Sequence, residues 1–264
     1  MTPICNPVLE TATIKYSVQP GCHWLDAKYY PGTKQAHTGC DLNATTGGDT
    51  DYGNRVRCVA DGIVQAAGNY PTWGGIVLIS HPELGVYTQY AHLINIAVKP
   101  GDTVKMGDPV GQIGKGAKNQ FMAHLHFEVR KSRLAPDYWP SAHVDTRAAA
   151  AKFIREHYLD PEAWLEQHGA MRGYDEVMQA RGEGKPIKSY PEVPALPPKP
   201  APATARPERK PIYLWVQVQN PDGTLRPKEV VSIPVNEQGL LLVQANGKPK
   251  VVRVPEARLT EGEY

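Results

Sequence analysis

The chain has 264 residues, which corresponds to one large domain or two unequal ones at roughly 100–200 residues per domain. Its 41% hydrophobic and 21% charged residues exclude a largely disordered protein, and its net charge of +2 argues against a nucleic-acid partner. No apolar run approaches the ~20 residues of a membrane span. With 24 glycines and 25 prolines, the composition favours many short strands joined by turns over a helical bundle.

The amino-terminal part, residues 1–36, is rich in turns. It begins with neither a basic stretch nor an apolar core, so no signal peptide is expected. Pro-Gly pairs at Pro20–Gly21 and Pro31–Gly32 mark two of the turns.

All four cysteines lie in the first quarter of the chain, at Cys5, Cys22, Cys40 and Cys58. None of them forms a Cys-x-x-Cys pair, which leaves two disulfides or four buried thiols open. Buried thiols are favoured because nothing in the sequence indicates an oxidising compartment.

From His37 to about Val129 the pattern is one of short strands separated by turns. Ile76–Ile79 is typical of a buried strand, and Val86–His92 is a second strand candidate. Asp61–Gly62 and Pro100–Gly101 are typical turn pairs. A mainly β fold with an antiparallel sheet is therefore predicted.

A helical extension is predicted over residues 145–182. Thr146–Tyr158 is rich in alanine, and a second helix begins with Asp160 as its N-cap and Pro161 at its first position. Gly169 is the expected stop of that helix, and a third helix covers roughly Tyr174–Arg181.

The rest of the chain divides into a linker and a small domain. Residues 189–211 contain eight prolines in 23 positions, which is typical of an extended, semi-rigid linker. Residues 212–264 alternate between polar and apolar and contain turn signals, so a small all-β domain of three or four strands is predicted.

The segment His-Leu-His-Phe-Glu-Val at residues 124–129 alternates ionisable and apolar side chains. On a strand, the apolar residues face the core, and His124, His126 and Glu128 face the other way. Two imidazoles on one face can converge on a cation, and imidazole is a common zinc ligand.

A second cluster is His-Thr-Gly-Cys-Asp at residues 37–41. The i, i+4 spacing puts His37 and Asp41 on one face of a helix or a strand, and Gly39 disfavours the helix. Cys40 has the opposite parity and is expected in the core as a small hydrophobic residue.

A third histidine, His92, follows Tyr90-Ala91 at the end of a predicted strand. Three histidines and an aspartate at strand ends indicate a four-coordinate zinc with an open position. Three protein ligands plus water is the arrangement of catalytic zinc.

These motifs, in this order, resemble the lysostaphin/LytM-type peptidoglycan zinc metallopeptidases. The resemblance covers about residues 37–130 and includes Gly53–Val56, Ala60–Val64 and Val98–Gly107. It implies a small antiparallel sheet whose loops wall a narrow groove.

The same resemblance implies the roles of individual residues. His37, Asp41 and His126 would hold one zinc ion, while His92 and His124 would face the substrate as catalytic partners of the transition state. The family has a Ser-Thr-Gly-Pro-like stretch where this chain has Asn119–Ala123, which puts the shape of that groove wall and the substrate preference in doubt. The longer loop Thr45–Asp51 resembles the form in phage-encoded members.

Four further residues have competing interpretations. Glu128 as a zinc ligand would close the site, so orientation of a histidine is favoured, with a plain surface carboxylate as the alternative. Tyr70 and Trp73 flank a turn and are either substrate contacts or part of an ordinary surface loop. His81 is most simply a residue of a strand-end turn.

The sequence is therefore interpreted as a zinc metallopeptidase domain over 1–188, a linker, and a β domain over 212–264. This β domain binds the cell wall or serves as a stabilising appendage or assembly surface. The predicted function is hydrolysis of peptide bonds in bacterial peptidoglycan. The alternative is a non-catalytic peptidoglycan-binding or structural scaffold on the same fold. With no signal peptide expected, we predict a protein made in the cytoplasm that acts on the wall as a phage lysin or virion component. The bond cleaved and the oligomeric state stay open.

Overall fold

A computed structural model describes residues 2–182 in full, and the backbone alone for the strands 212–216, 229–233, 240–245 and 248–253. The chain divides into two compact units, Met1–Leu196 and Pro197–Tyr264. The predicted proline-rich linker lies outside the described residues.

The first unit is built on a ten-stranded antiparallel sheet, which confirms the predicted fold class. Its strands are β1 (Tyr16–Val18), β2 (Cys40–Ala44), β3 (Arg55–Arg57), β4 (Gly62–Tyr70), β5 (Gly74–His81), β6 (Val86–Ile94), β7 (Thr103–Val104), β8 (Pro109–Ile113), β9 (Leu125–Arg130) and β10 (Tyr158–Leu159). The main order is β1-β2-β9-β6-β5-β4-β7. In addition, β10 pairs with β9, and β8 pairs with both β3 and β6.

The core lies against the middle of this sheet. Leu125, Phe127 and Val129 of β9 are fully buried on one face, as the alternation predicts, and Tyr90 of the neighbouring β6 packs with them. Cys40 joins the same core cluster, in agreement with its expected role. Because β9 is central, its opposite face is also buried, and that face carries the ionisable residues.

The sheet extends beyond residues 37–130 at both ends of the chain. β1 pairs with β2 and β10 pairs with β9, so short segments before and after the predicted core complete the sheet. Strands of three and two residues are too short to show a period in the sequence.

Three α-helices lie after β9, as predicted, with β10 between the first two: α1 (Arg147–His157), α2 (Pro161–Gln167) and α3 (Tyr174–Arg181). The Thr146 side chain caps α1, and Asp160 accepts hydrogen bonds from two amides at the start of α2. None of the helices in the described part of the chain has the length and apolar character needed to cross a membrane.

All four cysteines are free thiols. Cys5, Cys40 and Cys58 are buried, but Cys22 is only half-buried, because it lies in a loop beside a groove. The favoured expectation of four buried thiols is therefore wrong for Cys22.

In the second unit, the described strands form two separate two-stranded antiparallel sheets. β11 (Ile212–Val216) pairs with β12 (Glu229–Ile233), and β13 (Leu240–Ala245) pairs with β14 (Lys248–Arg253).

Candidate metal centre

Three buried side chains meet beside the centre of the sheet. Asp41 of β2 is paired with His126 of β9, and His37 lies just before β2. His37 Nε2 is 3.0 Å from His126 Nδ1 and 3.1 Å from Asp41 Oδ1, and His126 Nδ1 is 2.9 Å from Asp41 Oδ1. Tetrahedral ligands about 2.0–2.1 Å from a zinc ion are roughly 3.3 Å apart, so this triangle of donor atoms fits a cation of that size.

A bend at Thr38–Gly39 brings His37 and Asp41 together. The expectation that both lie on one face of a single strand is wrong, because β2 begins only at Cys40. A Cβ atom on Gly39 would lie 2.2 Å from the Phe127 carbonyl oxygen. Glycine is therefore needed for the close approach of this bend to β9.

The outer nitrogens of both histidines are held by neighbouring acceptors. His37 Nδ1 is 3.0 Å from the His23 carbonyl oxygen, and His126 Nε2 is 2.9 Å from Glu128 Oε1. The hydrogen bond of one nitrogen fixes which nitrogen keeps its lone pair. A neutral ring at either position therefore presents its lone pair on the side that faces Asp41.

Glu128 has no exposed surface, which excludes the alternative of a surface carboxylate. Burial raises its pKa, but the Arg130 charge and the His126 hydrogen bond outweigh burial and hold the pKa at about 2. The Thr38 hydroxyl donates to the same carboxylate oxygen that faces His126. Glu128 is thus placed to orient His126 from behind.

The electrostatics of the centre favour positive charge. Burial raises the pKa of Asp41, but His37 and the hydrogen bond to His126 hold it well below its usual range, so Asp41 is ionised. Burial lowers the pKa of His126, and the hydrogen bonds to Asp41 and Glu128 raise it to about 9. The carboxylates of Asp41 and Glu128 thus stabilise positive charge at the centre, whether it comes from a proton or from a metal ion.

His92 sits at an irregularity in the pairing of β5 with β6. Gly75 pairs with Leu93 and Ile76 pairs with Ala91, so His92 is the extra residue of a β-bulge, with a φ of 64°. Its Nδ1 atom donates to the carbonyl oxygen of Trp73 at 2.8 Å. Such a conformation is costly and occurs at sites where a side chain must be aimed.

His124 is the second histidine beside the trio. Its Nδ1 donates to the Met122 carbonyl oxygen at 2.8 Å, and its Nε2 is 3.8 Å from Asp41 Oδ1. The ring centroid of His124 is 4.7 Å from that of His92, and the His92 ring is 5.8 Å from that of His126. The structure thus brings together all five residues that the sequence analysis assigned to ligands and catalytic partners.

His92 is neutral at ordinary pH. Burial, followed by the charges of His124 and His126, lowers its pKa to about 3. Because Nδ1 carries the proton that bonds to Trp73, its Nε2 has a lone pair. The ring can therefore accept a proton but cannot donate one from Nε2 as it stands.

The centre opens into a groove of about 1020 Å³ that four chain segments wall, at residues 21–35, 71–73, 120–122 and 137–139. Trp73 lines this groove, but Tyr70 is not among its lining residues. Phe121, in the segment that departs from the family, has its ring centroid 4.8 Å from that of His92.

Two aromatic residues of the groove were missed from the sequence. Tyr29 stacks on His37 with ring centroids 4.4 Å apart, and the Trp139 indole N–H donates to Gln35 Oε1 at 2.6 Å. Both lie in turn-rich stretches without periodicity, so only their position near prolines and glycines was available as a signal. Thr38 was also missed, although it lies inside the cluster at residues 37–41.

Comparison with known proteins matches residues 35–138 to the model of Peptidase family M23. The cell division protein DipM of Caulobacter vibrioides is 37% identical over 108 residues, which are 40% of this chain and 16% of that protein. Stage II sporulation protein Q of Bacillus subtilis is 33% identical over 107 residues, which are 40% of this chain and 36% of that protein. The chain thus spans well under half the length of these two relatives.

Among solved structures, the chain is similar to the catalytic domain of the antimicrobial peptidase lysostaphin from Staphylococcus simulans. The match is 22% identical with a TM-score of 0.39, and covers 58% of this chain and 92% of that one.

Proposed function

We propose that this chain is a zinc-dependent endopeptidase that hydrolyses peptide bonds in bacterial peptidoglycan, a proposal supported by the match of residues 35–138 to the model of Peptidase family M23. The observation that carries the proposal is the triangle of His37, Asp41 and His126 donor atoms with two further histidines beside it. Two neutral nitrogens and one carboxylate are a donor set of catalytic zinc.

His37, Asp41 and His126 would hold one zinc ion. When bound in such a site, zinc lowers the pKa of water to about 7 and polarises a carbonyl group. The buried carboxylates Asp41 and Glu128 support this binding, since both are ionised. Asp41 lies against the imidazoles of both His37 and His126, and Glu128 lies against that of His126.

His92 and His124 would transfer a proton from water to the leaving nitrogen. In hydrolysis the water oxygen bonds to the carbonyl carbon, one water proton goes to a histidine, and the peptide C–N bond breaks as that proton passes to the leaving nitrogen. Both rings present Nε2 with its lone pair, because Nδ1 of His92 donates to Trp73 and Nδ1 of His124 donates to Met122. The ring that takes the proton becomes a donor to the leaving nitrogen only after that transfer.

The experiment is mass spectrometry of fragments released from purified peptidoglycan by the zinc-loaded protein, with His126→Ala and the exposed His143→Ala in parallel. We expect new peptide ends with the wild type and with His143→Ala, and none with His126→Ala. These ends would also identify the bond cleaved.

The second candidate function is a non-catalytic scaffold that binds peptidoglycan or a partner. The presence of all three candidate ligands and of both further histidines argues against a scaffold, since a scaffold does not need these residues. Zinc binding without product release from several types of wall would overturn the hydrolase and favour the scaffold.

We also propose that the protein reaches the wall as a phage lysin or virion component, supported by the Thr45–Asp51 loop. That loop is held to the segment before His124, since Asp49 accepts from the Ala123 amide at 2.8 Å and pairs with Lys115. Detection of the chain in purified virions would favour the virion role, and its presence only in the lysate would favour the free lysin. Wall binding by residues 212–264 stays a prediction.

A further inference from the structure

We propose that Arg130 is a positioning residue that couples His126 to the groove wall at residues 135–139. This inference rests on the proposed function in that His126 is taken as a metal ligand. Arg130 lies in β9, four residues beyond His126, and its side chain is completely buried. Arg130 is not one of the three residues whose donor atoms form the candidate metal site, so its effect must pass through its neighbours.

On one side, the guanidinium contacts Glu128, which lies behind the candidate metal centre. Arg130 Nε donates to Glu128 Oε2 at 2.6 Å, while Glu128 Oε1 is 2.9 Å from His126 Nε2. Both carboxylate oxygens are thus engaged, one by the arginine and one by the imidazole. A charge-assisted bond of this kind fixes the carboxylate more firmly than a neutral one. The orientation of His126 therefore depends on where Arg130 holds Glu128.

The other side acts on the groove. Arg130 Nη1 donates to the Ala135 carbonyl oxygen at 3.0 Å, and Nη2 donates to that of Pro136 at 3.3 Å. The next residue, Asp137, and Trp139 line the groove. The Tyr158 ring, 5.4 Å from the guanidinium carbon, supports the arginine from β10.

A lysine would not reproduce this arrangement. The guanidinium is planar and presents its donors in a fixed fork, whereas an ammonium is a point charge on a flexible stem. Arg130→Lys would keep a positive charge near Glu128 but could not hold two carbonyl groups and a carboxylate in one plane. Glu128→Gln would keep the bonds to the wall and weaken the link to His126.

The chain offers a matched control in Arg57 of β3. This arginine is also buried, and it donates to the carbonyl oxygens of four residues, namely Asn6, Met171, Arg172 and Gly173. Its bonds hold the amino-terminal segment to the stretch before α3, and none of these residues lines the groove. Arg57→Lys therefore measures how the loss of a buried guanidinium group affects stability away from the groove.

The test measures the zinc dissociation constant by chelator competition, the unfolding midpoint, and amide hydrogen exchange at residues 133–139 with and without zinc. In the wild type and in Arg57→Lys, we expect zinc to slow exchange in this segment. In Arg130→Lys and in Glu128→Gln, we expect the dissociation constant to rise about 10–100-fold and the slowing to be lost.

The proposal is overturned if Arg130→Lys and Arg57→Lys change zinc affinity and exchange equally, which would make Arg130 merely structural. If Arg130→Lys does not fold, Glu128→Gln decides, because unchanged zinc affinity and exchange in that variant break the proposed link. These readouts need no hydrolysis. A wild type that releases no peptides would therefore refute the proposed function while the coupling is still measured.

Discussion

His92 Nδ1 donates to the Trp73 carbonyl oxygen at 2.8 Å, and this bond leaves Nε2 as the free nitrogen beside the metal centre. The ring of His92 makes no contact with Asp41 as short as those of His37 and His126. His92 therefore lies beside the triangle of His37, Asp41 and His126 without completing it.

We expect His92→Ala to retain zinc and lose activity. A general base contributes roughly 10²–10⁴-fold, so the rate on peptidoglycan peptides should fall by about that factor. Zinc affinity should stay within about twofold of the wild type, because the three donor atoms of the trio are untouched. Parallel chelator titration and rate measurements check this, and a comparable loss of zinc would show that His92 is a ligand instead.

How much of this site was predictable differs from residue to residue. The alternation in residues 124–129 predicted which side chains of β9 share a face, because that property depends only on local geometry. The bulge at His92 depends on how β5 pairs with β6, which no local pattern contains. Tyr29 and Trp139 lie in loops beside the site. The path of these loops is set by contacts between residues far apart in sequence, such as the hydrogen bond from Trp139 to Gln35.

Glu128 illustrates the same limit. Its parity placed it on the ligand face, but two interpretations remained because burial of that face depends on the segments packed over it. Arg130 ends the same strand and favours the interpretation that Glu128 orients a histidine, since a buried carboxylate paired with an arginine is held in place.

The sequence left Trp73 and Tyr70 open between substrate contacts and residues of an ordinary surface loop, and the structure distinguishes the two residues. Trp73 lines it, and Tyr70 does not. We expect Trp73→Ala to raise KM for a peptidoglycan peptide about 10–100-fold, because burying an aromatic side chain is worth roughly 1.5–3 kcal/mol. The backbone carbonyl that holds His92 stays in place in this variant.

Tyr70→Ala is the matched control for that measurement, with a KM within about twofold of the wild type. Steady-state kinetics on both variants check the pair. Equal effects at the two positions would contradict the assignment of the groove wall.

Gly39→Ala should destabilise the protein strongly. The new Cβ would lie 2.2 Å from the Phe127 carbonyl oxygen. A shift of β9 would move His126, and a shift of the bend would move His37 or Asp41. Overpacking of this kind costs about 1–3 kcal/mol or more. Gly68→Ala in β4 is the control, because its Cβ would find only the Tyr70 ring at 3.8 Å.

Urea unfolding of the metal-free proteins measures both glycine variants. A Gly39→Ala midpoint equal to that of Gly68→Ala would show that the bend has room for a side chain.

His81 ends β5 as predicted, but it is buried rather than part of an exposed turn. Its Nδ1 donates to the Asp61 carbonyl oxygen at 2.9 Å, and its Nε2 is 2.7 Å from the Thr88 hydroxyl. Burial lowers its pKa to about 4, although the hydrogen bond to the Asp61 carbonyl group and the Asp61 charge act to raise it. The folded protein therefore holds this ring neutral where an unfolded chain would protonate it.

This difference makes stability depend on pH in a defined window. Between pH 6.5 and about 4 the unfolded chain binds a proton that the folded protein excludes, so stability falls as the pH falls, by about 3 kcal/mol in all. His81→Gln keeps a polar side chain and cannot be protonated, so the loss between pH 7 and pH 4.5 should be smaller in the variant. Urea unfolding of both proteins with a chelator present measures the difference, and other titrating groups, His92 included, cancel because both proteins contain them. Identical losses in the two proteins would show that His81 is protonated as easily in the folded state as in the unfolded one.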